Sequence, residues 1–193
     1  MSELRAWHGD PGLKVEVVAR MKKHRQLDEI IQGAYQAPHS MDRLTGGFKG
    51  CAVGCTLPQM FSYNRNLRMG LDQTWLRPED QEIYNNEGWH GLVQQYYGID
   101  SQVAAAIDDT FEEQMSFEAA AKFAVDVIEV IPVGADLSKV AEQFDELYDA
   151  RADETRDEYG PNWQTEMSEW MATTLIGLLS EAPVPLTWER VAS

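Results

Sequence analysis

Two cysteines in 193 residues are too few for a disulfide scaffold. Cys51 and Cys55 are spaced C-x3-C. That matches neither the doubled C-x2-C of zinc modules nor the C-x2-C of thioredoxin-like pairs. The chain has no apolar run of about 18 residues, so no segment is expected to span a membrane. Its start, Met1 to His8, lacks an apolar signal core, so the expectation is a cytoplasmic protein with reduced thiols. Gly46-Gly47-x-x-Gly50 lacks the Gly-Lys-Ser/Thr ending and the preceding strand of a phosphate loop. No Gly-x-Ser-x-Gly nucleophile elbow occurs. Period-two alternation, internal repeats and low-complexity tracts are missing as well.

Positive charge is also short. The net charge is −16, and it is uneven. Residues 1–77 carry eleven Lys/Arg against seven Asp/Glu, a net +4, whereas residues 78–193 carry five against twenty-five, a net −20. Such a field opposes direct nucleic-acid binding by the second half and favours cations or a basic partner.

What is present reads as one all-α domain of about six to seven helices. Asp10-Pro11 starts a helix expected to reach Gln32, with Leu13, Val17, Met21, Leu27 and Ile31 on its apolar side and Gly33 as its stop. Residues 34–49 read as loop. Gly50 to Leu57 suits a short helix ended by Pro58. On it Cys51 and Cys55 share one face, and so do Gly50 and Gly54, a surface that lets another backbone come close. Residues 59–86 read as a long polar loop or insertion. Helices follow over about 88–97, from Asp100 or Ser101 through Met115, from Ser116 to Ile131 before Pro132, from Asp136 or Ser138 onward, and from Asn162 through Leu178. Residues 183–193 form an extended tail.

Several short strings resemble an uncharacterised family of phage and proteobacterial proteins with no assigned activity. They are Ala6-Trp7-His8-Gly9-Asp10-Pro11, Asp28-Glu29-Ile30-Ile31-Gln32-Gly33 and Gly50-Cys51-Ala52-Val53-Gly54-Cys55-Thr56. With them go His90 ahead of Gly98-Ile99, Asp108 with Phe111-Glu112, and Pro132-Val133-Gly134-Ala135-Asp136-Leu137. Residues 59–89 are longer than that pattern, and Ala106-Ile107 stands where Leu-Glu is expected. The resemblance implies a helical fold and singles out residues, but it brings no function.

The catalytic candidates are His90, Cys51, Cys55 and Asp28, and the metal candidates are His8, His90, Asp108 and Glu112. Asp108 and Glu112 are four apart on a helix and can address one spot; with a histidine they make a carboxylate and imidazole site. Glu87-x-x-His90 has the spacing of one di-iron half-site without its second copy. Against these stand plain roles: Asp10 and Asp136 as caps, Asp108 and Glu112 as a solvated face, and the cysteines as small packing residues. No organic cofactor is called for; a divalent metal is the cofactor these residues could hold.

The leading expectation is a non-catalytic acidic protein, of a phage accessory or anti-defence kind, that covers a basic protein surface of host or phage. It would use Asp145, Glu146, Asp149, Asp153, Glu154, Asp157 and Glu158, with no nucleic acid and no membrane involved. The runner-up is a small metal- or thiol-dependent enzyme, and a self-assembling structural protein comes third. Oligomeric state is left open.

Overall fold

The computed structural model describes residues 4–38, 48–58, 60, 78–113, 116–155 and 163–185. Among them the chain is all-α, with seven helices: α1 (Pro11–Gln26), α2 (Ala52–Thr56), α3 (Pro78–Tyr97), α4 (Ser101–Glu112), α5 (Phe117–Val130), α6 (Val140–Thr155) and α7 (Trp163–Ser180). Their apolar faces merge into a single buried cluster. One two-residue antiparallel ladder, β1 (Ala37–Pro38) with β2 (Phe48–Lys49), is the sheet structure. No described helix is long and apolar enough to cross a membrane.

The caps fall where the side chains that make them predict. Asp10 accepts from the Gly12 N–H, Asp100 from Gln102 and Ser116 from Ala119, each satisfying an orphan amide of the first turn. Asp136 accepts from the Ser138 N–H at 3.0 Å, and that bond holds its carboxyl below the usual range. α4 and α5 carry clean apolar stripes, among them Val103, Ile107 and Phe111 on the first and Phe123, Val127 and Ile128 on the second. Met115 and Asn162 lie outside the described residues, as does the tail beyond 185.

Three expectations need correction. α1 ends at Gln26, not Gln32; Leu27 is 53% exposed. The chain turns at Asp28, whose φ is +53°, so that Glu29 can return to His24 and Ile31 can pair with Gly50. Residues 78–86 of the expected loop are the first half of α3; residue 59 and residues 61–77 lie outside the described residues. Gly88, at φ 64° and ψ −154°, breaks α3 between Glu87 and His90, so the two do not share a continuous helical face and the di-iron half-site is lost.

Two strings far apart in sequence lock together. The Trp7 side chain is fully buried and its indole N–H donates to Ile131 O at 3.1 Å. Ala6 N donates to Ala135 O, and Gly134 N donates to Ala6 O. Trp7 (φ 60°) and His8 (φ 49°) hold left-handed conformations that cost of order 1–3 kcal/mol each. Burial of the indole and these long-range bonds keep them there.

α2 is the hub. All five of its residues are buried, and it packs against α1, α3, α4 and α5. A five-residue helix cannot stand alone, so its ends are tied down from outside. At its C-terminal end Thr56 O accepts from Arg20 Nη1 at 2.5 Å and from the Tyr97 hydroxyl at 2.6 Å. At its N-terminal end Cys51 is the cap rather than a helical residue, its Sγ accepting from the Gly54 N–H at 3.4 Å and its N–H donating to Ala34 O at 2.7 Å. The Tyr35 carbonyl lies directly on the glycine face. A Cβ at Gly54 would sit 1.4 Å from Tyr35 O, and one at Gly50 would sit 2.1 Å from it. The close backbone approach expected of that face is there.

Gly54→Ala is therefore expected to lower unfolding free energy by about 3 kcal/mol or more, because backbone carbonyl cannot give way as a side chain can. Gly177→Ala in α7, where a Cβ meets nothing within 4 Å, is expected to be neutral or stabilising by up to about 1 kcal/mol. Urea denaturation of both variants checks this, and equal stability of the two would contradict the packing described.

Candidate metal centre

The loop that crosses α2 also reaches α4. Gln32 Nε2 donates to Phe111 O at 2.7 Å, capping one of the orphan carbonyls of α4. The Gly33 N–H, where φ is +84°, donates to both Glu112 carboxylate oxygens at 2.9 and 3.0 Å. The same loop thus fixes Tyr35 over Gly50 and Gly54 and draws Glu112 toward the start of α2. Cys51, Asp108 and Glu112 end up with one ligand atom each within 4.8 Å of one another. Cys51 and Asp108 are buried, and Glu112 is exposed.

His90 joins from α3. Its Nε2 is 3.3 Å from Asp108 Oδ2 and 3.4 Å from the Tyr35 hydroxyl. A ring nitrogen holds one proton at most, so Nε2 either donates to Asp108 or accepts from Tyr35. Tyr35 is itself clamped, its ring stacked on Trp89 at 5.3 Å and 15°. Asp108 Oδ1 is buried and has no hydrogen-bond partner of good geometry. The Tyr35 phenol and the Cys51 thiol both feel that carboxylate, but neither makes a well-formed bond to Oδ1.

The electrostatics follow. Burial first, then the Asp108 charge, pushes the Cys51 thiol far above its ordinary range, against the pull of the Gly54 and Val53 N–H groups. Burial, then the Asp108 hydrogen bond and charge, does the same to the Tyr35 phenol. Glu112 is raised by burial and by Asp108, in spite of Gly33, and Asp109 is raised by burial, Asp108 and Asp145, in spite of His90. Acidic groups gather here with less compensation than they need.

The structure separates the remaining candidates. Cys55 is turned into the core, 3.3 Å from Gly50 O, and burial with the Glu29 charge pushes its thiol up to about 12. The two cysteines are free, and they serve different neighbours. His8 contacts Gln95 O at 3.1 Å, at the turn where Gly98 meets Arg5. Asp28 is exposed on the turn after α1. Asp145, Glu146 and Asp149 are exposed on α6; the side chains of Asp153 and Glu154, and all of Asp157 and Glu158, lie outside the described residues.

Sequence reasoning missed Tyr35, which sits in no motif. It also missed the buried His24–Glu29 pair, Nδ1 to Oε2 at 2.8 Å, in which burial lowers the histidine pKa. Comparison with protein-family models, with curated proteins and with solved structures found no match.

Both thiols are expected to stay protonated at pH 8 and to react slowly with a disulfide reagent. Asp108→Asn removes a charge that opposes Cys51 ionisation, so Cys51 should react faster at a given pH, measured in a Cys55→Ser background. An unchanged rate would show that Asp108 does not bear on the thiol. Asp109 gives a second check. Its folded pKa is raised, so the stability it lends is complete at low pH and is lost as pH rises through that pKa. Asp109→Asn should therefore gain stability at pH 7, by less than about 1 kcal/mol because the group is largely exposed, and nothing at pH 3. Urea denaturation at both pH values measures it.

Proposed function

We propose that this chain is a metal-dependent protein of the small-enzyme kind, holding one divalent ion of borderline softness, such as Zn2+, on Cys51, Asp108 and Glu112. The observation that carries the reading is the gathering of these three donors within 4.8 Å, with a buried Asp108 oxygen left without a proper partner. Ligand atoms 2.0–2.3 Å from a tetrahedral ion lie roughly 3.3–3.8 Å apart, so the three side chains close up by about 1 Å to bind. A thiolate among carboxylates favours zinc over magnesium or calcium, which take oxygen alone. The groups around the donors suit ligands as well: His90 meets the second Asp108 oxygen, and the Gly33 N–H meets Glu112.

The raised Cys51 pKa argues in the same direction. A nucleophilic cysteine needs its thiolate stabilised, and here burial and Asp108 oppose it. A bound cation inverts that local preference and deprotonates the thiol outright. A second reading is binding of a basic protein surface, favoured by the exposure of Asp145, Glu146 and Asp149 along α6.

Zinc titration is expected to give one equivalent per chain. At a hundredfold excess over its Kd the ion should add about 2.7 kcal/mol, or roughly 5–10 °C in Tm. Cys51→Ala, Asp108→Asn and Glu112→Gln should each remove most of that shift, while Asp145→Asn with Asp149→Asn leaves it intact. No bound zinc, or zinc indifferent to the first three changes, would refute the metal reading. In the second reading a basic partner binds less well as salt rises, and α6 variants that bind it equally well would end that idea.

A further inference from the structure

The proposed centre has three protein ligands, one fewer than zinc takes. We infer that its fourth position is open, that it accepts uncharged or cationic carbonyl compounds with Tyr35 as hydrogen-bond donor, and that it rejects phosphate. This rests on the metal reading above.

His90 also lies against the cluster, and its Nε2 is occupied at Asp108 Oδ2 and beside the Tyr35 hydroxyl. It therefore acts as a positioning residue on Asp108. The far side of the cluster is reachable, because Glu112 and Gly33 are exposed and Tyr35 and His90 are half-buried. The Tyr35 hydroxyl, whose ring is stacked on Trp89, lies beside His90 and Asp108, and a bound carbonyl would have to draw its proton away from them.

Charge sets the class of ligand. A thiolate and two carboxylates around Zn2+ leave a net charge of about −1 before anything else binds, and at a few ångströms in a partly buried site such charge decides between ligands. The surroundings add to it. Asp109 is exposed beside Asp108 on α4, and Asp145 approaches it from α6. Among the described groups whose charges act on Tyr35, Cys51, Asp109 and Glu112, His90 is the one that can carry positive charge. A metal ion can polarise either a carbonyl or a phosphoryl oxygen. Here a phosphate dianion meets repulsion from the ligands and from the rim, whereas a neutral carbonyl does not. Because the thiolate and carboxylates weaken the ion as a Lewis acid, the Tyr35 hydroxyl carries a larger part of the carbonyl's polarisation.

The test uses the full chain loaded with Co2+, whose visible absorption reports coordination and whose thiolate charge-transfer band reports Cys51. Acetamide, a neutral carbonyl compound that binds through its oxygen without losing a proton, is expected to change the visible spectrum at millimolar concentration, and inorganic phosphate at the same concentration is not. Tyr35→Phe should weaken acetamide binding roughly three- to tenfold, the effect of one hydrogen bond. Asp109→Asn with Asp145→Asn, both exposed and outside the ligand set, should let phosphate in. Phosphate acting on the unaltered protein as readily as acetamide would overturn the charge selection. No response to either probe, with the thiolate band present, would mean a closed fourth position and would overturn the inference while leaving the metal centre standing. A Tyr35→Phe protein with unchanged affinity would remove Tyr35 from it. Absence of the thiolate band at saturating cobalt would remove the centre itself.

Discussion

The contact on which the rest depends is a backbone carbonyl resting on two glycines. Tyr35 O occupies the space that side chains at Gly50 and Gly54 would fill. That seating lets the 29–36 segment run along α2 in place of a side-chain layer. The backbone bonds of Gly50 with Glu29 and Ile31, and of Cys51 with Ala34, then form along its length. Helix α2 is too short to be helical by propensity. It exists because the loop on one side and Arg20 with Tyr97 on the other saturate its ends. The site is a by-product of this seating. Cys51 is held as the cap of α2, Glu112 is drawn in by Gly33, and Tyr35 is aimed at His90, all by one loop.

The parts that were legible in the sequence are those decided locally. Caps at Asp10, Asp100 and Ser116, the apolar stripes of α4 and α5, and the stop at Pro132 need only neighbours within a turn or two. The i, i+4 pair of Asp108 and Glu112 and the small face of Gly50 and Gly54 were equally visible. What could not be read was what arrives from a distance. The early end of α1 is set by Glu29 turning back to His24 and by the pairing of residues 30 and 50. The periodicity through Leu27 and Ile31 gave no sign of either. Tyr35 belongs to no pattern; the glycines announced that some backbone would come close without saying which. The strings around Trp7 and Pro132 owe part of their character to each other, since Trp7 donates to Ile131 O across 124 residues of chain.

Cys51 and Cys55 illustrate how little spacing says about chemistry. They are four apart, both buried, and both raised in pKa by burial. Cys55 spends its S–H on the carbonyl of Gly50 and is finished as a packing residue. Cys51 faces a carboxylate, which no buried thiolate tolerates without a cation. A pair of equivalent thiols would have pointed to redox chemistry. An inequivalent pair leaves one sulfur free for a role that the other cannot share.

The same asymmetry runs through the carboxylates. Glu112 is answered by the Gly33 amide and Asp108 by a loose contact from His90 and by the neighbouring Tyr35 and Cys51 side chains, while Asp109 and Asp145 have each other close at hand. A fold concerned with stability alone would have met the buried Asp108 oxygen with a donor, or replaced the residue with an apolar one at little loss. Instead the cost of crowding is kept at one point, beside the one inward-facing thiol that can join it. Local cost that the surrounding structure over-determines is what the proposed metal site would require. Here the loop seated on Gly54 supplies that over-determination.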